Sequence, residues 1–222
     1  MRRPGLWIGA AALVLGVLTV PLFAPGSKPS VPGTDLPWQV ETDAHGVPAV
    51  FGIRLGETRL QDVLPRLGRS VELGLFRQAD GRSVLEAYYR EIELGGLTTK
   101  LILRLGAGQE ALDAMIARAG KGDPTPSGSM QYIPASTDDH AIIALPIIGL
   151  TYSPLVRLDE DVIRSRFGEP AEKLAEKDGV HWLYPARSLD LFRQDNGKSI
   201  LTYLLPADYA QWRAQYRPPS GQ

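Results

Sequence analysis

Leu75-Phe76-Arg77-Gln78-Ala79-Asp80-Gly81-Arg82-Ser83-Val84-Leu85 and, far downstream, Leu191-Phe192-Arg193-Gln194-Asp195-Asn196-Gly197-Lys198-Ser199-Ile200-Leu201 decide the reading of the fold. Each is a run of alternating character broken by a turn: Ala79-Asp80-Gly81 in the first, Asn196-Gly197 in the second. Such dipeptides accept the positive φ of a tight hairpin. Seven of the eleven aligned pairs are identical and three more are conservative. Turn chemistry explains a shared Gly with Asp or Asn. The Leu-Phe-Arg-Gln match outside the turn goes further and points to an internal repeat.

Working outward, each hairpin follows a short amphipathic helix closed by Gly. The first opens at Thr58, with Gln61 as the partner of a capping box, and has Leu60, Val63, Leu64 and Leu67 on one face. Pro65 should kink or shorten it, and Gly68 stops it. The second is Glu160 to Phe167, capped by Asp159, with Leu158 and Ile163 as a hydrophobic staple and Gly168-Glu169-Pro170 as the stop. Gly68 to Leu75 is a short step, whereas Gly168 to Leu191 leaves room for an additional strand pair.

The remaining elements follow from periodicity. Trp38 to Asp43 and Pro48 to Leu55 read as a hairpin about His45-Gly46. Val71 to Arg77, Arg82 to Leu94 and Leu97 to Leu105 read as strands, Gln109 to Ala119 as a helix, and Gly120 to Gly128 as a loop. The apolar run Ala141 to Leu150 is too short to span a bilayer, and Pro146 argues against one long central strand. Two short strands are expected there. Strands at Val180 to Tyr184, Ser188 to Arg193 and Lys198 to Leu205 precede a last helix, Ala207 to Tyr216. The expected fold class is α+β: an N-terminal transmembrane helix, then two related halves of antiparallel sheet packed with short helices.

The N-terminus carries its own signal. Gly5 to Ala24 is uncharged and almost wholly apolar. About 20 such residues match a hydrocarbon core of about 30 Å. Arg2 and Arg3 precede the run, and Asp35, Glu41 and Asp43 follow it, so the rest of the chain is placed outside the cytoplasm. The alternative is a signal peptide cut near Gly26, but Pro25 stands where cleavage is disfavoured. Pro25 to Pro37, rich in Pro, Gly and Ser, reads as a linker. The expected organisation is a cytoplasmic tip at 1–4, an anchor at 5–24 and a linker at 25–37. A first α+β half at 38–120, a connecting loop at 121–140, a second half at 141–217 and a tail at 218–222 complete it. The location that follows is a single-pass inner-membrane protein with a periplasmic domain.

Composition narrows the function classes. A net charge of -1 with no basic block removes the footprint of a nucleic-acid binder. Zero cysteines removes disulfides, thiolate metal sites and cysteine nucleophiles. No Ser stands in a Gly-x-Ser-x-Gly context, and Gly106-Ala107-Gly108 lacks the Lys-Ser/Thr ending of a phosphate loop. Asp138-Asp139-His140 pairs carboxylates with an imidazole, which suits a general base or a metal. Sequence neighbours on a strand point to opposite faces, so adjacency alone builds no site, and a solvated loop before a buried strand is the expected reading of the trio. His181 beside Trp182 carries the same ambiguity. Tyr209, Trp212 and Tyr216 form an aromatic stripe that either packs on the sheet or anchors a partner.

Phe167-Gly168-Glu169-Pro170, Trp182-Leu183-Tyr184, the strand Leu189 to Phe192 and the turn Gly197 together resemble the SmpA/OmlA (BamE-like) family of small envelope domains. Gly56-Glu57-Thr58, Val63 and Leu67-Gly68 are a partial copy without the Trp-x-Tyr element. The tandem arrangement is similar to the beta-lactamase inhibitor protein fold. The resemblance implies a sheet on helices that binds protein rather than catalysing a reaction. The chain lacks that family's lipidated cysteine. The expectation is a non-enzymatic envelope protein that docks another envelope protein, using Trp182, Tyr184, Tyr209, Trp212 and Tyr216, with no cofactor and no metal. The alternative is a small-ligand binder or hydrolase built on Asp138, Asp139 and His140 with His181.

Overall fold

The computed structural model describes residues 36–216. The expected tip, anchor, most of the linker and the tail lie outside the described residues. Among the described residues no helix is long and apolar enough to cross a membrane. The protein is α+β, with a three-stranded and a ten-stranded sheet and five α-helices.

The three-stranded sheet comprises β1 (Glu41–Thr42), β2 (Pro48–Val50) and β3 (Ile53–Arg54), all antiparallel. The expected turn at His45-Gly46 is present, held by Asp43 Oδ1, which accepts the N–H groups of His45 and Val47. Pro48 to Leu55 does not run as one strand. It folds back at Phe51-Gly52, where φ values of 52° and 64° make a two-residue turn of the primed type. Phe51 adopts a conformation that costs a bulky residue energy. Its ring, 1% exposed, packs against Tyr152 at 5.0 Å, and its carbonyl accepts a hydrogen bond from Arg66.

Helix α1 (Leu60–Leu67) starts at Arg59 rather than Thr58. The Thr58 hydroxyl is engaged elsewhere, accepting the Arg54 N–H at 3.0 Å. Asp62 accepts the Arg59 N–H at 2.9 Å in place of the expected Gln61. Pro65 is accommodated two residues before the last helical residue, Leu67, and Gly68 closes the helix. The strands β4 (Glu72–Arg77), β5 (Ser83–Leu94) and β6 (Leu97–Leu105) then form a meander. Helix α2 (Gln109–Arg118) follows. The segment read as a loop after it contains β7 (Asp123–Pro124), which pairs with β8 (Met130–Tyr132).

The run Ala141 to Leu150 departs from expectation. Its first residues belong to α3 (Asp139–Ile143), and one strand, β9 (Ile147–Pro154), replaces the two expected. Proline cannot donate to a ladder. Pro146 lies just before β9, its carbonyl accepting the Gly106 N–H at 2.8 Å, and Pro154 is the last strand residue, so neither interrupts the pairing. Helix α4 (Glu160–Phe167) starts after an extended Asp159, whose side chain does not make the expected capping hydrogen bond, and the staple residues Leu158 and Ile163 are buried. The additional strand pair is β10 (Glu172–Glu176) and β11 (Gly179–Tyr184). Then come β12 (Leu189–Gln194), β13 (Ser199–Leu204) and α5 (Pro206–Gln215).

The large sheet is antiparallel in the order β10-β11-β12-β13-β9-β6-β5-β4-β8-β7. The first eight strands in this order are two four-strand sets, β10-β11-β12-β13 and β9-β6-β5-β4, back to back along β13 and β9. The register there is symmetric: Thr202 faces Thr151, Leu201 faces Tyr152 and Tyr203 faces Leu150. Leu-Thr-Tyr is spelled at 150–152 and again at 201–203, so a pseudo-twofold axis between Thr151 and Thr202 carries each triplet onto the other. Counting outward, the axis relates β6 to β12, β5 to β11 and β4 to β10, matching Glu72 with Glu172 and Tyr89 with Tyr184. The look-alike hairpins 75–85 and 191–201 fall in β4–β5 and β12–β13, which this axis does not relate. What they share is the turn. Gln78 and Gln194 donate N–H to Arg82 and Lys198 carbonyls, and Asp80 and Asn196 accept the Arg82 and Lys198 N–H groups.

One face of the sheet carries the core. Leu75, Leu85, Leu103, Leu150, Leu201, Leu191 and Trp182 lie in one apolar cluster with α1, α2 and α4 residues, so both meanders share a single core.

Candidate functional site

Strand alternation sends every second side chain to the other face. A single row crosses eight strands there: Glu72, Tyr88, Ile102, Thr151, Thr202, Asp190, Leu183 and Glu172, each opposite the next. Glu86 faces Arg104 in the next row. Tyr88, Thr151, Thr202, Glu86 and Arg104 are part-exposed, while Ile102 is buried. This face combines Tyr and Arg, residue types enriched where protein partners meet, with a small central Thr pair, a type that seldom carries binding energy.

The β10–β12 end of the face is occupied by α5. Pro206 supplies a fixed φ at its first position, and the chain folds back so that Tyr209, Trp212 and Tyr216 point at the sheet. Arg213 forms a two-pronged ion pair with Glu172, and the Tyr216 hydroxyl donates to the Ala175 carbonyl. Beneath the helix His181 is enclosed, stacked on Phe192 at 4.4 Å with Trp212 at 5.4 Å and Tyr216 at 5.9 Å.

His181 Nδ1 lies 2.9 Å from both carboxylate oxygens of Asp190, itself buried. Burial pushes the Asp190 carboxyl above its ordinary pKa, and the hydrogen bond to His181 acts in the opposite direction. Glu176 approaches the other ring nitrogen at 3.9 Å. The pair can hold and exchange a proton. Among the described residues no hydroxyl hydrogen-bonds the imidazole, and the aromatic rings of α5 stand between it and solvent.

The expected site residues divide between two places. Trp182 and Tyr184 are on the core face, 1% and 6% exposed. Trp182 lies under a lid of cations: Lys173 at 3.9 Å, Arg164 at 5.0 Å and Arg193 at 5.3 Å. Glu160 gathers all three cations by ion pairs. The Tyr184 hydroxyl donates to the Gly168 carbonyl at 3.1 Å. Tyr209, Trp212 and Tyr216 share a helix face, turned inward onto His181.

Asp138, Asp139 and His140 do not converge with His181 in any contact. Asp138 is buried and held by Arg118 at 2.7 Å, while Asp139 and His140 are exposed at the start of α3. Among the described residues no three His, Cys, Asp or Glu side chains group as metal ligands do. Sequence reasoning missed Asp190 as the partner of His181, and missed Tyr88 and Arg104. Only the cross-strand register brings these residues together, and no local spacing encodes it. Comparison of this chain with known proteins finds no matching family model, curated relative or solved structure.

Proposed function

We propose that this chain is a membrane-anchored, periplasmic protein of the bacterial envelope that acts without catalysis, by docking another protein onto the open face of its ten-stranded sheet. The observation that carries the reading is the row Tyr88, Ile102, Thr151, Thr202, continuous over four central strands and part-exposed at three of its four positions. Central strands have both edges paired, so the side chains offered there are held in fixed register and need little ordering on binding. The 5–24 segment supplies the anchor in this reading. The matched triplets at 150–152 and 201–203 support descent of both meanders from one repeated unit.

The test is photo-crosslinking in cells of the full-length protein, with probes replacing Tyr88 and Thr202. A probe at Trp182 serves as the buried control. Reproducible adducts from Tyr88 or Thr202 and none from Trp182 are expected. A folded, exported protein that yields no adduct at either open-face position would overturn the reading.

A further inference from the structure

Helix α5 shows how this sheet face receives a helix, and the pseudo-twofold axis shows where a second one fits. The axis carries the α5 seat onto β4–β6. Glu72 there takes the place of Glu172, Tyr88 that of Leu183, Glu86 that of His181 and Ile102 that of Asp190. The helices following β6 do not cover this seat with their apolar faces, because Leu112 and Met115 of α2 and Ile142 of α3 are in the core on the opposite side.

The seat also has an unanswered charge. Among the described residues Glu86 has no hydrogen-bond partner and no cation within 4.0 Å, and Arg104, directly opposite, acts on it only at longer range. Burial pushes the Glu86 carboxyl above its ordinary pKa. At the other seat the equivalent position is His181, enclosed by α5 aromatics, and the neighbouring Glu172 is answered by Arg213 of that helix. A partner that brought both an apolar surface and a cation would satisfy both features of the first seat.

We propose that the β4–β6 half of the face seats an amphipathic helix of a partner protein, laid as α5 is laid on the other half, with its apolar side on Tyr88 and Ile102 and a Lys or Arg reaching Glu86. This rests on the docking reading above and specifies its partner: a helix with apolar residues at i, i+3 and i+7, as in Tyr209, Trp212 and Tyr216, and a basic residue on the same side. Its charge is the opposite of what Arg104 and Lys100 alone would attract.

The experiment places a photo-crosslinking residue at Phe76, beside the seat on β4, in the full-length protein in cells, and sequences the crosslinked peptide. The expected peptide carries the helical apolar spacing and a Lys or Arg. Glu86→Lys should reduce its yield at least about tenfold, the scale of a lost charge-assisted contact. Reversing the peptide's basic residue to Glu should restore the yield in Glu86→Lys. Glu86→Gln, which removes the charge with little change of shape, should reduce the yield severalfold and keeps the test decisive should the Lys variant not fold. A Phe76 adduct insensitive to both substitutions, a peptide without helical spacing, or a peptide from residues 206–216 of a second copy would overturn the proposal. Adducts from Thr202 with none from Phe76 would overturn this seat and leave the docking function standing. Silence at Tyr88, Thr202 and Phe76 together would remove both.

Discussion

Tyr89 and Tyr184 make the same contact in the two meanders: each hydroxyl donates to the carbonyl of a helix-ending glycine, Gly68 at 3.0 Å and Gly168 at 3.1 Å. Each bond ties a strand to the end of the helix that precedes its meander. Burial pushes both phenols up to about 12, so both stay protonated donors at physiological pH. A net hydrogen bond of this kind is worth about 1 kcal/mol. Tyr89→Phe and Tyr184→Phe should each lower stability by about that amount in urea unfolding. The sites share no partner, so the double variant should lose about the sum. A double variant no worse than either single one would show that the contacts are not independent.

Gly168 is held at φ 78°, ψ -171°, a region accessible essentially to glycine alone. A Cβ at this position meets no atom within 4 Å, so any cost of Gly168→Ala is conformational rather than steric. The expected loss is about 1–3 kcal/mol. Gly108, extended with φ -65° and also with nothing within 4 Å, is the matched control. Gly108→Ala should be neutral within about 0.5 kcal/mol. Equal effects at the two sites, read from unfolding midpoints, would contradict the backbone argument.

Glu86 should leave a mark on the pH dependence of stability. Its folded pKa is raised by burial above the ordinary carboxyl value of 4.5. The stability it contributes is therefore fully present below the unfolded pKa and is lost as pH rises through the folded one. Glu86→Gln removes this loss. The variant should match the wild type at acid pH and exceed it near neutrality, as measured by urea unfolding at a series of pH values. A variant less stable than wild type at neutral pH would mean that Glu86 has a favourable partner within the folded chain.

The covering of His181 by α5 is open to chemical footprinting. His45 and His140 are exposed, whereas His181 is 6% exposed. Diethyl pyrocarbonate should modify the first two quickly and His181 slowly. Trp212→Ala removes a ring 5.4 Å from the imidazole and should raise the His181 rate alone. An unchanged rate would place the protection in the strands rather than in the helix.

Arg118→Ala should cost about 1–2 kcal/mol. It leaves the Asp138 carboxylate buried without its cation, but Arg118 is half-exposed and water can take part of its role. Asp139→Ala and His140→Ala, at exposed positions, should change neither stability nor cellular phenotype. A lost phenotype with stability intact would revive the ligand-binding alternative at this trio.

Local chemistry was legible in the sequence and pairing across the sheet was not. Gly68 and Gly168, the staple at Leu158 and Ile163, and the turns at Gly81 and Gly197 each act within a few residues, and each is found where it was read. The Thr58 hydroxyl accepts the Arg54 N–H instead of capping α1, a choice between nearby backbone donors that the letters alone leave open. Turn geometry accounts for the Gly and the Asp or Asn shared at 75–85 and 191–201, while the shared Leu-Phe-Arg-Gln letters run along strands that the axis does not relate. The signal of symmetry, Leu-Thr-Tyr at 150–152 and 201–203, is only three residues long and becomes visible as such once Thr151 and Thr202 are seen to face each other. The segment between β6 and β9, with no counterpart between β12 and β13, hides it further by making the sequence offsets unequal. Asp190 and His181 are nine positions apart on antiparallel neighbours, a relation that only register creates.

The Tyr203 hydroxyl donates to the Pro37 carbonyl, at the very start of the described chain, and Trp38 stands edge-on to Phe167 at 6.1 Å. Tyr203 belongs to β13, which has a strand on either side. The chain itself runs on from Pro37 into β1, an edge strand of the three-stranded sheet. Tension arriving from the N-terminal side therefore loads the Tyr203 and Trp38 contacts and this small sheet before it reaches the ten-stranded one. Tethered as proposed, the domain would meet mechanical load first at its small sheet, away from the docking face.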